Sequence, residues 1–301
     1  MSRRNSYASF GCESLESRRM MAGNVAVNVT GGDLVLTGDN AGNIVEIRQV
    51  QLNDAPIPGR FLIRGLNGTT INGQVSQVFQ NVNDDFRFNL NGGNDRVTLG
   101  QGTSVESFQV PDDLTINGGN GSDIVILDRI TVGDDATLLT GAGVDFVNVN
   151  ARIGRDGVDF GANDLFLDTG ANADYARIDH TTIGRNLTIV TGGDNFTDVV
   201  DLLHTEIGND TFLNTGAGAD VVNIFSVRFN DDLTVVTGAG QDDVNINNSV
   251  VDELSVNLGV DSDSLELTDN VGRRATLNGS LGADTLTQSN NDFDLFQEFG
   301  F

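Results

Sequence analysis

The chain has 301 residues, of which 43 are acidic and 17 are basic, all of them Arg, so its formal net charge is −26. A surface of this sign repels nucleic acids and anionic membranes and attracts cations, so we expect no nucleic-acid binding. No run of about 18 apolar residues is present, and we therefore expect no transmembrane helix. A single cysteine, Cys12, excludes an internal disulfide.

The first 23 residues, MSRRNSYASFGCESLESRRMMAG, are basic, unlike the rest of the chain. They lack the apolar run of about 7 to 15 residues that marks an ordinary signal peptide. The stretch from Leu15 to Ala22 resembles the LEPR-XLL motif at the start of many large secreted and surface proteins of planctomycete bacteria. Ser17 stands where that motif has Pro, and Met20-Met21 where it has Leu-Leu.

This resemblance implies export and implies no chemistry; the body that follows is also similar to β-solenoid proteins of those bacteria. The alternative is a disordered N-terminus with no targeting role. In either case residues 1–23 are interpreted as a leader outside the folded body.

Residues 24–83 are predicted to form an N-terminal β cap. Short alternating segments (VAVNV, DLVLTG, NIVEIRQV and RFLIRG) are separated by turn signals such as Gly31-Gly32 and Asn67-Gly68. A solenoid needs caps at both ends, because an open coil exposes a strand edge and a cross-section of its core.

From residue 84 to residue 290 one pattern recurs, and its clearest copies lie at 134–149, 209–224 and 231–246. Each copy contains a Gly-x-Gly-x-Asp turn or a variant of it. The Asp of that turn, here called the marker Asp, recurs every 21 to 29 residues, most often every 22. A fixed period of this size indicates a solenoid.

Each coil has two segments in which apolar residues alternate, which is the periodicity of strands. A third, shorter apolar position follows in most coils. Three short strands per turn of about 22 residues predict an all-β fold, a right-handed parallel β-helix of about nine coils. The alternating pairs include Leu114/Ile116, Val147/Val149 and Val222/Ile224, and the third position includes Ile183, Ile207, Val250 and Val271.

Residues 291–301 are predicted to form a C-terminal cap. They contain Phe293, Phe296, Phe299 and Phe301, which we expect to cover the last coil. The alternative is an aromatic tail that binds a partner.

The Gly-x-Gly-x-Asp turns resemble the RTX repeat, in which Gly-rich turns of a β-roll coordinate Ca²⁺. RTX turns come twice per coil, whereas here only one column of sites would form. Stacking would place neighbouring marker carboxylates about 5 Å apart, where they repel by about 3 kcal/mol at an effective dielectric near 20. Either a cation or hydrogen bonds from turn N–H groups must offset that repulsion, and both remain open. The candidate Ca²⁺ ligands are Asp95, Asp123, Asp145, Asp174, Asp198, Asp220, Asp242 and Asp263.

A second acidic column precedes the first strand of each coil, as at Asp112-Asp113 and Asp231-Asp232. It is interpreted as a solvated turn face. Arg185 and Arg273-Arg274 interrupt it and are expected to relieve part of its charge.

No catalytic residue is predicted. Parallel β-helices often carry enzymes that degrade polysaccharides, but that is an analogy from fold alone. The chain has no Lys, no Trp and two Tyr, and its paired carboxylates recur as a pattern, so none stands out. His180 and His204, with Glu206 nearby, could bind Zn²⁺ or act as a base, although two exposed turn histidines are the simpler interpretation.

Two insertions, at 100–111 and 154–161, are further candidates because loops on a rigid scaffold commonly carry function. They contain no recognisable motif.

We therefore expect an exported, non-catalytic β-solenoid with a structural or adhesive role at the cell surface or in the extracellular matrix, where its partner would be a glycan or a protein. The alternative is a carbohydrate-active enzyme or a glycan-binding protein. A cleft lined by acids outside the repeat pattern would favour the alternative, and a regular rod would favour the structural role.

Overall fold

The computed structural model describes residues 23–53, 55–100, 108–153 and 163–301. These ranges consist of strands and turns without a helix, which confirms the predicted all-β parallel solenoid. In the same ranges, no helix is long and apolar enough to cross a membrane. The predicted leader up to residue 22, the 154–161 insertion and most of the 100–111 insertion lie outside the described residues.

The N-terminal strands are β1 (Asn24–Thr30), β2 (Asp33–Thr37), β3 (Ile44–Leu52), β4 (Ala55–Gly65), β5 (Thr70–Ile71) and β6 (Ser76–Gln80). They are followed by β7 (Phe86–Asn89), β8 (Arg96–Gly100), β9 (Phe108–Val110), β10 (Leu114–Asn120), β11 (Ile124–Val132), β12 (Ala136–Ala142), β13 (Phe146–Ile153), β14 (Leu165–Asp168), β15 (Tyr175–Asp179), β16 (Thr182–Ile183), β17 (Leu187–Val190) and β18 (Val199–Leu203). The remaining strands are β19 (Glu206–Ile207), β20 (Thr211–Asn214), β21 (Val221–Phe225), β22 (Arg228–Phe229), β23 (Leu233–Val236), β24 (Asp243–Asn247), β25 (Val250–Asn257), β26 (Ser264–Thr268), β27 (Val271–Asn278), β28 (Thr285–Ser289) and β29 (Asp292–Phe299).

The strands stack into three parallel faces. The first face precedes the Gly turn and runs through β2, β7, β10, β12, β14, β17, β20, β23 and the later parts of β25, β27 and β29. The second face follows the marker Asp and runs through β3, β8, β11, β13, β15, β18, β21, β24, β26 and β28. The third, shorter face includes β9, β16, β19, β22 and the first parts of β25, β27 and β29.

The first coil begins inside the predicted N-terminal cap. β2 pairs in parallel with β7, and β3 pairs in parallel with β8. β1 folds back antiparallel on β2, while β4 pairs antiparallel with both β3 and β6. Phe61 of β4 packs against Phe86 and Phe108, with ring centroids 5.0 and 5.3 Å apart, so aromatic side chains fill this end of the core.

Inward residues form apolar ladders along the solenoid, as the alternation predicts. Leu114, Ile116, Val147 and Val149 are all fully buried. Because each strand pairs in register with the next coil, equivalent side chains contact each other from coil to coil. This burial of apolar surface is the main stabilising contribution to the fold.

The third apolar position is predicted correctly in some coils only. Ile183 and Ile207 are buried, but Val250 and Val271 are 42% and 49% exposed, so the prediction was wrong for those two. The reason is register: Val250 pairs with the outward Arg228, and strand alternation therefore turns the next residue, Val251, inward.

The C-terminal residues extend the last coil as strand β29, which pairs in parallel with β27. Phe293 and Phe296 are partly buried and pack against the core. Phe299 and Phe301 are 56% and 39% exposed. The aromatic segment thus covers the end of the core with two of its four rings.

Candidate functional site

The marker Asp column is an internal hydrogen-bond ladder. The backbone N–H of each marker residue donates to Oδ1 of the marker Asp one coil further along, over 2.6 to 2.9 Å. The column begins at Asn43, a marker position that the sequence pattern missed because Asn replaces Asp and the turn departs from the repeat. The eight candidate Ca²⁺ ligands, Asp95 to Asp263, are only 0% to 3% exposed.

The second carboxylate oxygen of most marker Asp residues is buried without a clear hydrogen-bond partner. Among the described residues this holds for Oδ2 of Asp95, Asp123, Asp145, Asp174, Asp220, Asp242, Asp263 and Asp284. An unpaired negative charge in such a place is costly, and a carboxyl group responds by holding its proton more tightly.

Burial accordingly raises the pKa of the marker carboxyls, and the backbone hydrogen bond from the preceding coil, together with a Thr side chain in several coils, only partly opposes the rise. The pKa of Asp174 rises to about 8 and that of Asp123 to about 7. The pKa values of Asp95, Asp198, Asp220 and Asp263 rise to about 6. Those of Asp145 and Asp242 are raised for the same reason. At neutral pH the column therefore carries less charge than its composition implies.

The marker carboxylates do not converge on a common point. In the described part of the chain, four groups of three side chains bring their potential ligand atoms within 4.8 Å of one another, and no marker Asp belongs to any of them. Of the two ways to offset the repulsion in this column, the structure shows the hydrogen-bond ladder; calcium binding stays a prediction.

A second acidic ladder runs in the opposite direction at the corner before the first face. Here the N–H of Asp113 donates to Oδ1 of Asp85, and the N–H of Asp135 to Oδ1 of Asp113, so each bond points back to the preceding coil. Asp164 continues the ladder with a 2.7 Å bond to Asp135. The sequence identified this acidic column but not its ladder, because alternation and composition carry no information about bond direction.

Arginine relieves part of the charge of this second column. Arg273 forms ion pairs with Asp252 and Glu253, and Arg274 lies 3.5 Å from Glu253. Arg185 lies 3.8 Å from Asp164. The expected roles of Arg185 and Arg273-Arg274 are thus confirmed.

Outward side chains on the second face include an aromatic pair. The rings of Phe146 and Tyr175 lie in adjacent coils with centroids 5.3 Å apart. They line an open depression of about 590 Å³ together with Ile44 and Ile124. The Tyr175 hydroxyl donates a hydrogen bond to the Asp201 carboxylate, which fixes the orientation of its ring.

A polar depression of about 330 Å³ lies further along the same strands. Its lining includes Asp128, Asn148, Asn150, Arg177 and Asp179. These residues belong to coils on either side of the 154–162 segment.

The two histidines lie together at the corner after the second face. Their rings stack with centroids 4.7 Å apart. The carboxylate that joins them is Asp179, whose Oδ1 lies 2.7 Å from Nδ1 of His180 and 3.1 Å from Nδ1 of His204. Glu206, the acid that the sequence placed beside them, instead lies 3.8 Å from Arg228. Asp179 was missed because its contact with His204 crosses from one coil to the next.

Comparisons of the chain with protein-family models, with curated proteins and with solved structures gave no match.

Proposed function

We propose that this chain is a non-catalytic β-solenoid that acts as a structural or adhesive element, outside the cell or at its surface. The observation that carries the proposal is the repetition of inter-coil hydrogen bonds at the corners, coil after coil. Such a body holds columns of outward side chains at fixed spacing, as a spacer or an adhesive surface requires. The similarity of the leader to LEPR-XLL segments supports export.

Cell fractionation tests this proposal. An antibody against residues 24–301 should detect the protein in the culture medium, or on intact producing cells in a form that added protease removes. A cytosolic marker protein serves as the control for lysis. Detection only in the cytosol, resistant to protease until the cells are broken, would overturn the proposal.

Glycan binding is the second candidate, and the Phe146–Tyr175 pair is the observation that favours it. The apolar face of a sugar ring packs well on an aromatic surface, while its hydroxyls need hydrogen-bonding partners. Asn148, Arg177 and Asp179 line the neighbouring depression and offer both donors and acceptors. An apolar floor with a few convergent polar groups is a common composition for ligand sites.

Affinity electrophoresis in gels that contain individual polysaccharides tests this second candidate. Retardation of the wild type should be lost in Phe146→Ala and Tyr175→Ala. Phe212→Ala is the matched control, since Phe212 is an exposed aromatic residue on the first face. Retardation unchanged in both variants would exclude the aromatic pair as the site. New reducing ends or unsaturated products from any polysaccharide would instead indicate a carbohydrate-active enzyme.

A further inference from the structure

The corner after the second face directs two imidazoles to the same point. His180 and His204 have positive φ angles of 50° and 46°, and they follow Asp179 and Leu203, which pair across adjacent coils. The repeated turn conformation therefore projects both rings from equivalent positions, one coil apart. Their side chains are 66% and 42% exposed, so they are accessible to a solute.

The carboxylate between them is fixed before any ligand arrives. Asp179 is partly buried, and its Oδ2 accepts a 2.7 Å hydrogen bond from Arg177, which leaves Oδ1 directed at the two rings. Burial alone would raise the pKa of Asp179, but hydrogen bonds from Arg177 and His204 outweigh it and lower that pKa.

Two imidazole nitrogens and one carboxylate oxygen are a characteristic donor set for a divalent transition metal. One potential ligand atom from each of the three residues lies within 4.8 Å of the other two. Ligand atoms about 2.0 to 2.2 Å from a tetrahedral metal lie roughly 3.3 Å apart, so small rotations of the exposed rings are enough to admit one. Ca²⁺ and Mg²⁺ prefer oxygen ligands and gain little from this set.

We propose that Asp179, His180 and His204 form a binding site for a divalent transition-metal ion such as Zn²⁺. In the free protein Nδ1 of each ring lies within hydrogen-bonding distance of Oδ1 of Asp179, and which atom donates depends on the tautomer. On binding, a neutral ring whose ligating nitrogen bears the proton changes tautomer, so that the proton lies on the other ring nitrogen and the ring stays neutral; only a protonated ring releases a proton to solvent. Three protein ligands leave a fourth position open to water. The acidic surface adds a favourable field, since the chain carries a net charge of −26.

Calorimetric titration of the full chain with Zn²⁺ tests the site. His180→Asn and His204→Asn are the variants of choice because Asn248 and Asn290 occupy the same corner with positive φ, so the turn is retained. We expect saturable binding in the wild type. Each His variant, and Asp179→Asn, should weaken that binding by at least about ten-fold. Glu206→Gln is the matched control, because Glu206 is a neighbouring exposed carboxylate outside the cluster. Its Kd for Zn²⁺ should stay within about two-fold of the wild-type value.

The ring resonances of the histidines provide a second measurement. The chain has only two His, so both NMR ring signals should shift with Zn²⁺ and remain unchanged with Ca²⁺. Absence of saturable Zn²⁺ binding by the wild type would overturn the proposal. So would equal affinity in the wild type and both His variants, with unshifted ring signals, because Cys12 or the acidic surface would then be the ligand.

Discussion

The backbone N–H of Asp145 donates to Oδ1 of Asp174 over 2.8 Å, from one coil to the next. At another corner the direction is reversed, since the N–H of Asp164 donates to Oδ1 of Asp135 over 2.7 Å. A central coil is therefore bound forward through one acidic column and backward through the other. The acidic residues that give the chain its charge also connect its coils.

Replacement of Asp174 separates hydrogen bonding from charge. Asp174→Ala leaves the buried N–H of Asp145 without its acceptor and should reduce the free energy of unfolding by about 1 to 3 kcal/mol. Asp174→Asn keeps an oxygen acceptor and removes the titrating group, and Asn43 already occupies an equivalent position. In urea unfolding at pH 8, we expect Asp174→Asn to lose much less free energy of unfolding than Asp174→Ala. Equal losses in the two variants would mean that the charge, and not the acceptor, matters.

Stability should fall as the pH rises from about 4 to about 8. The folded-state pKa values of Asp123 and Asp174, about 7 and 8, exceed the ordinary value of 3.8, so the folded chain binds protons more tightly than the unfolded chain. This contribution is complete below pH 3.8, is lost progressively as the pH rises above 3.8, and is gone once the pH exceeds the folded-state pKa values of about 6 to 8. We expect the melting temperature at pH 9 to be on the order of 5 to 10 °C below that at pH 5.

Two controls separate this effect from general surface repulsion. Added salt at about 0.5 M screens exposed charges but affects buried groups much less. Most of the fall in melting temperature between pH 5 and pH 9 should therefore persist. Asp174→Asn should make the slope shallower. A melting temperature that is constant, or that rises from pH 5 to pH 9, would refute the proposed protonation of the column.

The Gly turns tolerate a side chain at one position and exclude it at the next. Gly216 has a φ of +91°, and a Cβ there would lie 1.8 Å from the carbonyl oxygen of Gly192. Gly193 has open space around it, and Ala217 occupies the equivalent position in the next coil. Gly216→Ala should reduce the free energy of unfolding by at least about 2 kcal/mol, because the left-handed backbone and the close contact both add strain.

Gly193→Ala is the matched control for that substitution. It should leave the unfolding midpoint in urea unchanged or raise it slightly, because Ala restricts the unfolded chain. If both variants unfolded at the same midpoint, close stacking of the turns would not be a requirement of the fold.

More of the fold than of the candidate site could be predicted from the sequence. Period and alternation identify the coils and the inward pairs, because both depend only on spacing along the chain. The same reasoning failed at Val250 and Val271, where a change of register moves the buried position by one residue. Asp179 and the reversed ladder through Asp113 depend on contacts between coils, and repeat spacing alone does not specify those contacts.

The most direct test of the account is thermal unfolding of the chain followed by circular dichroism, in EDTA and then in about 1 to 10 mM Ca²⁺, with Mg²⁺ as the control. This range covers weak extracellular calcium sites. A ladder of buried carboxyls held by backbone N–H groups predicts a β signal in EDTA and a melting temperature that Ca²⁺ changes by no more than about 2 °C beyond Mg²⁺. A large rise that is selective for Ca²⁺ would contradict the account and identify the marker Asp residues as a calcium column.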